Sequence, residues 1–266
     1  MQDIILRYYD TNMQRERSAD ICFSQQITEE TALLYIHGGG WARGSKEQFH
    51  SHLEYFSRKG FFCASLGYRL APEVNMYEQI ADILCGYDLC RSCMEEKGVD
   101  ITKVLMIGSS AGAHLASIVS LTEPDFFNPS IRMVNPWHRP DGCISITGPT
   151  QLTPWPGMND HMRECITTVT GDPCTGDSQT LRALSPITYA DEHAVPHMFI
   201  LAEHEPFFPH EQVHAMYDTL KKCGVYTELE LFAGAGHGFL YDLESPVQKK
   251  ALSSMERFLK RIAQLP

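Results

Sequence analysis

The sequence has no apolar run long enough to cross a bilayer. Its most apolar stretches, such as residues 32–36 and 104–107, fall far short of the roughly 18 residues that a membrane span needs. The first nine residues carry Asp3 and Arg7 where a secretory signal would be apolar. These features predict a protein that is neither exported nor inserted into a membrane, and they favour a cytoplasmic location.

Clusters of basic residues are also missing. The chain has 22 Lys and Arg against 33 Asp and Glu, which gives a net charge of −11. No group of four or more neighbouring cations could neutralise a row of phosphates. We therefore expect neither nucleic acid nor anionic membranes as partners, while a homo-oligomer remains open.

The cysteines do not form a disulfide or metal framework. Nine is an odd number, and several of them lie in apolar runs where a reduced thiol packs well. Cys90 and Cys93 form a single CxxC, but no second pair completes four metal ligands. The pattern indicates a reducing compartment, with both thiols on one helix, and no metal or cofactor is expected.

What the chain does contain is a regular alternation of strand and helix patterns over 266 residues. No repeat, low-complexity segment or linker divides it, so we predict one domain, residues 1–266. An antiparallel pair at 4–9 and 19–25 opens the chain. The further predicted strands are 31–37, 61–66, 103–107, 142–147, 197–202 and 227–232, and the predicted helices are 46–59, 77–97, 111–121, 209–223 and 246–264. This order predicts an α/β fold, a mostly parallel central sheet with helices on both faces and ligands at the carboxyl ends of the strands.

One connection is unusually long. About fifty residues separate the strand that ends near residue 147 from the next one, and they include the Pro- and Trp-rich stretch 148–158. Compact domains rarely keep such a connection without using it, and lids are one common use. We predict that residues 148–189 form a small cap insertion.

A first chemical motif, GSSAG at residues 108–112, follows a predicted strand and opens a predicted helix. This is G-x-S-x-G in the strand–turn–helix context that it requires. The sharp turn strains the serine backbone and lifts its hydroxyl above the sheet, while the glycines allow strand and helix to approach closely. Ser110 is the candidate nucleophile, with the Ala111 amide facing the same point. An inert serine in a tight turn is the alternative.

A second motif, HGGGW at residues 37–41, stands at the carboxyl end of another predicted strand. Three consecutive glycines indicate a backbone that approaches something closely. Together with the Ala111 amide, their amides could bind the oxygen of a tetrahedral intermediate. His37 itself is interpreted as a structural hydrogen-bonding residue, and a merely flexible glycine loop is the alternative.

A glycine-framed histidine, His237, follows the last predicted strand and is the candidate general base. The acid that orients it should follow the preceding strand, because the expected chain order is Ser, then Asp or Glu, then His. No aspartate stands there. The residues alone leave Glu203 and Glu205 as alternatives.

Taken together, HGGGW, YRLAPE (68–73), GSSAG and GHGF (236–239) resemble the α/β-hydrolase esterase/lipase family, in its hormone-sensitive-lipase-like and small acetyl-esterase-like branches. The resemblance runs from about residue 31 to the C-terminus. Its acid loop usually reads D-P-x-x-P, and residues 205–209 match with glutamate in place of aspartate. The resemblance implies an α/β-hydrolase fold. Its implied site residues are Ser110 as nucleophile, His237 as base, Glu205 as the orienting acid, and the amides of Gly39, Gly40 and Ala111 as oxyanion hole.

The function expected from this resemblance is a serine carboxylic-ester hydrolase that acts on small, short-acyl esters through an acyl-enzyme, without a cofactor. Trp41, Trp155 and Met158 are expected to contact the substrate, and Met162 to help the cap close over the acyl group.

Three alternatives stay open. The first is an amide or formamide hydrolase, such as an arylformamidase-like enzyme, on the same triad. The second is a zinc peptidase, because residues 210–214 spell H-E-x-x-H on a predicted helix, although no third ligand follows at a helical spacing. The third, a non-catalytic hydrolase-like binding protein, is favoured only by the missing aspartate.

Overall fold

In the part of the chain that the structure describes, one eight-stranded sheet forms the centre. The structure is a computed structural model that describes residues 4–98, 100–127 and 131–265. The strands are β1 Ile5–Tyr8, β2 Ser18–Cys22, β3 Thr31–Ile36, β4 Phe62–Leu66, β5 Lys103–Ser109, β6 Gly142–Ile146, β7 His197–His204 and β8 Thr227–Gly236. Their spatial order is β1-β2-β4-β3-β5-β6-β7-β8, in which β2 is antiparallel to β1 and β4 and all other pairs are parallel. The predicted opening hairpin and parallel sheet are confirmed.

Helices cover both faces of the sheet. They are α1 His50–Ser57, α2 Met76–Glu96, α3 Ala111–Leu121, α4 Pro124–Phe127, α5 Asp160–Thr170, α6 Gln179–Ala183, α7 His210–Lys222 and α8 Pro246–Ile262. Side chains alternate along a strand, so Leu33 and Tyr35 of β3 pack with α1 and α8, while Leu34 and Ile36 pack with α2 and α3. The predicted α/β-hydrolase fold class is confirmed. No helix in the described residues is both long and apolar enough to cross a membrane.

Two elements differ from their predicted bounds in ways that matter for the site. Strands β7 and β8 run two and four residues beyond the predicted ends, to His204 and Gly236. They are neighbours in the sheet and are paired to these ends, with a register shift between Ala202 and His204. As a result, Glu205 and His237 are the first residues after two adjacent parallel strands.

The predicted helix 46–59 is divided. Residues Lys46–Phe49 form a 3₁₀ turn, and α1 begins only at His50. The buried Ser65 hydroxyl of β4 donates to the Lys46 carbonyl (2.8 Å), so this carbonyl is bound to the sheet. The first turn is therefore attached to β4, and the regular helix starts after it.

Residues 148–189 hold α5, α6 and a 3₁₀ turn at Pro186–Tyr189, none of which was predicted. The segment is fixed to the helices beneath it by side-chain hydrogen bonds. The side-chain oxygen Oε1 of Gln212 in α7 accepts hydrogen bonds from the backbone N–H groups of Thr150 and Gln151 (2.9 Å each). The His114 ring in α3 donates to the Leu184 carbonyl (2.7 Å). In the same segment, three residues of α5 line the pocket that contains Ser110.

Candidate active site

Ser110 occupies a sharp turn between β5 and α3. Its φ and ψ are 56° and −123°, a strained conformation for a residue with a side chain. The flanking glycines are sterically required: a Cβ on Gly108 would lie 2.2 Å from the Gly112 carbonyl oxygen, and one on Gly112 would lie 2.1 Å from the Ile36 oxygen. Because strand and helix approach so closely, the serine projects into the pocket at the sheet's carboxyl edge.

His237 joins Ser110 to Glu205. Its Nε2 lies 2.8 Å from Ser110 Oγ, and its Nδ1 lies 2.6 Å from Glu205 Oε2. The Glu205 side chain is only 1% exposed, and its other oxygen accepts the Phe207 N–H at 3.0 Å. The carboxylate therefore holds Nδ1 protonated, which leaves Nε2 able to withdraw the Ser110 proton.

The alternative acid, Glu203, has a different position. Its carboxylate is 49% exposed and accepts the Gly234 N–H at 2.7 Å. Residues two apart on a strand share one face, but β7 ends at His204, so the chain turns before Glu205 and carries that side chain to His237. The structure thus places Glu205, and not Glu203, against the imidazole.

The glycine loop has left-handed backbone at three consecutive positions. Gly39, Gly40 and Trp41 have φ values of +124°, +59° and +61°. A Cβ on Gly39 would lie 2.2 Å from the Arg43 oxygen, so glycine is required there. Ala111 opens α3, where the first N–H groups have no acceptor within the helix. The predicted donor residues Gly39, Gly40 and Ala111 all line the pocket that contains Ser110.

His37 has the structural role expected for it. Its Nδ1 donates to the Gly38 carbonyl (2.9 Å), and its ring stacks on Tyr68 with centroids 4.2 Å apart. Burial lowers the pKa of His37 to about 4, so the ring is neutral near pH 7.

The pocket over Ser110 has a volume of about 370 Å³. Its apolar wall is formed by Trp41, Met162, Phe207 and Phe208, and the Phe207 ring contacts the His237 ring edge to face at 4.6 Å. The remaining lining residues are Gly39, Gly40, Arg43, Gln48, Ser110, Ala111, Pro149, His161, Cys165, His237, Gly238 and Tyr241.

Two of the expected substrate contacts do not lie in this pocket. Met158 is 8% exposed and packs in the core, with its sulfur 3.8 Å from Cys174 Sγ. Trp155 packs against the same core and does not line the cavity. Both precede α5, whereas the pocket wall is built by α5 itself. Trp41 and Met162 do line the pocket, so these two, and not Trp155 and Met158, are the candidate substrate contacts.

Of the α5 residues that line the pocket, the sequence analysis assigned only Met162 to the substrate side. His161, Met162 and Cys165 follow the i, i+1, i+4 spacing that places side chains on one helical face. An Asn at position 159, before this pattern, is the usual start of a helix, and here it caps α5 by accepting the Met162 N–H at 2.8 Å. Asn159 also donates to the Pro206 carbonyl (3.1 Å) and so joins α5 to the Glu205 loop.

The H-E-x-x-H sequence lies on α7, away from this pocket. The His210 Nε2 donates to the Ala202 carbonyl at 2.9 Å, and His214 is exposed. Within the described ranges, no three His, Cys, Asp or Glu side chains are grouped so that they could hold a metal ion. Cys90 and Cys93 are both buried on α2, as the helical interpretation predicted.

Solved structures with the same fold include the Thermogutta terrifontis esterase Est2 in a propionate-bound form, at a TM-score of 0.77 and 22% identity over 97% of this chain and 94% of that one. Esterase B from Lactobacillus rhamnosis gives 0.83 and 19%, over 98% and 86%. Together with the Ser–His–Glu arrangement, the fold places the protein in the class of α/β hydrolases.

The family profile BD-FAE matches residues 19–220, about three quarters of the chain. The chain therefore belongs to the BD-FAE family, within the α/β-hydrolase esterases and lipases. The profile of the dienelactone hydrolase family matches residues 178–265. Esterase LipC of Mycobacterium tuberculosis is 26% identical over 220 residues, which cover 78% of this chain and 52% of LipC. The chain spans about half the length of the curated relatives it matches first.

Proposed function

We propose that the protein is a serine carboxylic-ester hydrolase that forms an acyl-enzyme on Ser110. The observation that carries this proposal is the pair of short hydrogen bonds through which His237 joins the Ser110 hydroxyl and the buried Glu205 carboxylate. The esterase names of relatives such as LipC support the same reaction class.

In the proposed mechanism, Ser110 Oγ attacks the acyl carbon while His237 Nε2 takes the hydroxyl proton. The negative oxygen that forms accepts N–H groups from Gly39, Gly40 and Ala111. When the intermediate collapses, the ester C–O bond breaks and His237 gives its proton to the leaving alcohol.

Deacylation repeats these steps with water. The water oxygen attacks the acyl carbon while His237 takes a proton from the water. His237 then returns that proton to Ser110 as the acid product leaves. Glu205 stabilises the imidazolium that forms in each half-reaction.

We propose further that residues 148–189 act as the cap and limit the acyl group to about two to four carbons. Support comes from α5, whose Met162 stands on the pocket wall with Phe207, and from the modest cavity of about 370 Å³. The related Est2 fold has been solved with propionate and with butyrate bound, which fits a pocket for short acids.

A chain-length series of aryl esters, from acetyl to octanoyl, tests the proposal with wild type, Ser110→Ala and the matched surface variant Ser253→Ala, which replaces an exposed serine of α8. We expect acetyl to butyryl esters to be the best substrates, Ser253→Ala to match wild type, and Ser110→Ala to lose about four orders of magnitude or more in kcat. An organophosphate should label one serine in wild type and none in Ser110→Ala.

The same assay separates the alternatives. Faster turnover of aryl formamides than of esters would favour the amide hydrolase. Activity that is lost with a chelator and restored by zinc would favour the peptidase reading of His210 and His214. Appreciable ester hydrolysis by Ser110→Ala would rule out the proposed nucleophile.

A further inference from the structure

Tyr241 lies where three turns of the candidate site meet. The Gly38 N–H of the glycine loop donates to its phenolic oxygen at 3.2 Å. The Ser109 side chain, next to Ser110, is near enough to this hydroxyl to lower its pKa, against the larger opposite effect of burial. Its ring also faces Gly238, since a Cβ there would lie 3.4 Å from the ring edge. One side chain thus contacts the neighbours of the oxyanion donors, the nucleophile and the base.

The backbone that carries Tyr241 is itself fixed by side chains. The buried His52 of α1 donates from Nε2 to the Leu240 carbonyl at 2.7 Å. Gln248 of α8 donates to the Phe239 carbonyl, also at 2.7 Å. On its other side, the Tyr241 ring packs against the buried Phe49, with centroids 5.4 Å apart. Contacts from α1 and α8 thus fix the backbone before Tyr241, and Phe49 fixes its ring, so the phenolic oxygen is held in place.

Gly38 has no room to move past this hydroxyl. A Cβ on Gly38 would lie 2.5 Å from the Tyr241 oxygen and 3.1 Å from Ser110 Cβ. The next residues, Gly39 and Gly40, have the left-handed backbone that flexible glycines can leave at little steric cost. A fixed Gly38 N–H therefore limits how the two following peptide groups can turn.

We propose that Tyr241 is a positioning residue, whose hydroxyl holds Gly38 so that the Gly39 and Gly40 amides stay directed at the reacting oxygen. The inference rests on the ester hydrolase function proposed for Ser110. Donors that are fixed before the reaction stabilise a developing oxyanion without reorganisation. Misplacement by about 1 Å can cost about 100-fold in rate, even from outside the reacting atoms.

The chemistry of the phenol suits this role. Burial raises the pKa of Tyr241, so the hydroxyl keeps its proton at neutral pH. A neutral phenol can accept the Gly38 N–H and donate its own proton at the same time. Phenylalanine would keep the ring contacts with Phe49 and Gly238, but it would leave the Gly38 N–H without this acceptor.

The test compares Tyr241→Phe with Tyr55→Phe, a matched control in α1 whose hydroxyl donates to Glu256 (2.7 Å). Steady-state kinetics with an aryl acetate give kcat per active site, counted by organophosphate titration, and KM. Inhibition by an aryl trifluoromethyl ketone reports binding of a tetrahedral oxyanion. For Tyr241→Phe we expect kcat to fall about 5–50-fold and the inhibition constant to rise by a similar factor, with KM within about twofold. Tyr55→Phe should change none of these by more than about twofold.

Other outcomes overturn the proposal. If kcat per site is unchanged, or falls without a matching loss of inhibitor affinity, Tyr241 does not position the oxyanion donors. If the whole loss is a loss of titratable sites, its role is only structural. Failure of the proposed function appears in wild type instead, as no ester turnover and no organophosphate-labelled Ser110.

Discussion

The catalytic turns and the 148–189 segment contribute to the same pocket in different ways. The turns after β3, β5, β7 and β8 position the reacting groups through the backbone. Where the backbone approaches another segment closely, only certain residues fit, and the sequence shows them. A Cβ on Gly112 would lie 2.1 Å from the Ile36 oxygen, for example. The segment shapes the pocket through side chains on one face of α5, where many residues of similar size would fit. Sequence motifs therefore identify the candidate catalytic residues, whereas the residues of the pocket wall are identified only from the structure.

The comparison predicts that turn residues affect kcat most. Glu205→Gln should lower kcat by about 10³–10⁴-fold, because an amide no longer holds His237 in the tautomer that accepts the Ser110 proton. The matched variant Glu203→Gln keeps an oxygen for the Gly234 N–H and should stay within about twofold of wild type. Kinetics with an aryl acetate measure both. Equal losses from the two variants would mean that the acid is wrongly assigned.

On the segment, two methionines four residues apart should behave differently. Met158→Ala removes a buried core side chain and should lower the free energy of unfolding by about 2–5 kcal/mol, as measured by urea titration. Its ratio of octanoyl to acetyl ester hydrolysis should not change.

Met162→Ala instead opens the pocket wall and should raise that ratio about 10-fold. A changed ratio in Met158→Ala, or an unchanged one in Met162→Ala, would place the acyl group on a different side of Ser110.

Acid should weaken the attachment of the segment through His114. Burial lowers the pKa of His114 to about 4, against 6.5 as the ordinary value. Between these pH values the unfolded chain binds a proton that the folded one does not, so stability falls as the pH drops from about 6.5 to about 4. Urea titrations across this range give the free energy of unfolding at each pH. Its dependence on pH should be about 1.4 kcal/mol per pH unit shallower in His114→Gln than in wild type. Burial lowers the pKa of His52 in the same direction, but His52 is not attached to the segment. Its substitution therefore serves as the comparison for a pH effect that does not involve the segment.

The smallest effect is expected where the two regions meet. Asn159→Ala removes the cap of α5 and its hydrogen bond to Pro206, and should lower the free energy of unfolding by about 1 kcal/mol. Asn159→Asp keeps the capping acceptor and should recover most of that stability. If the two variants unfold at the same urea concentration, the Pro206 contact, and not the cap, is what stabilises this joint.

The sequence predicted the order of strands and helices because buried parallel strands and crossover helices leave strong hydrophobic patterns. It also predicted Ser110 and His237, because glycines frame both turns. It could not separate Glu203 from Glu205 by pattern alone, since the end of β7 depends on its pairing with β8 up to His204. Met158 and Met162 are equally apolar, so which of them faces the pocket depends on where α5 begins.

Helix α5 is closed at both ends by its own neighbours, with Asn159 capping its start and Gly171, in the left-handed conformation (φ 74°), at its end. An eleven-residue helix with both caps in place is a natural cassette for engineering. A library randomised at 161, 162 and 165 would vary three pocket-facing positions while the capping residues and the catalytic turns remain unaltered. Selecting this library on bulkier esters would show how many substrate specificities the same catalytic residues can support.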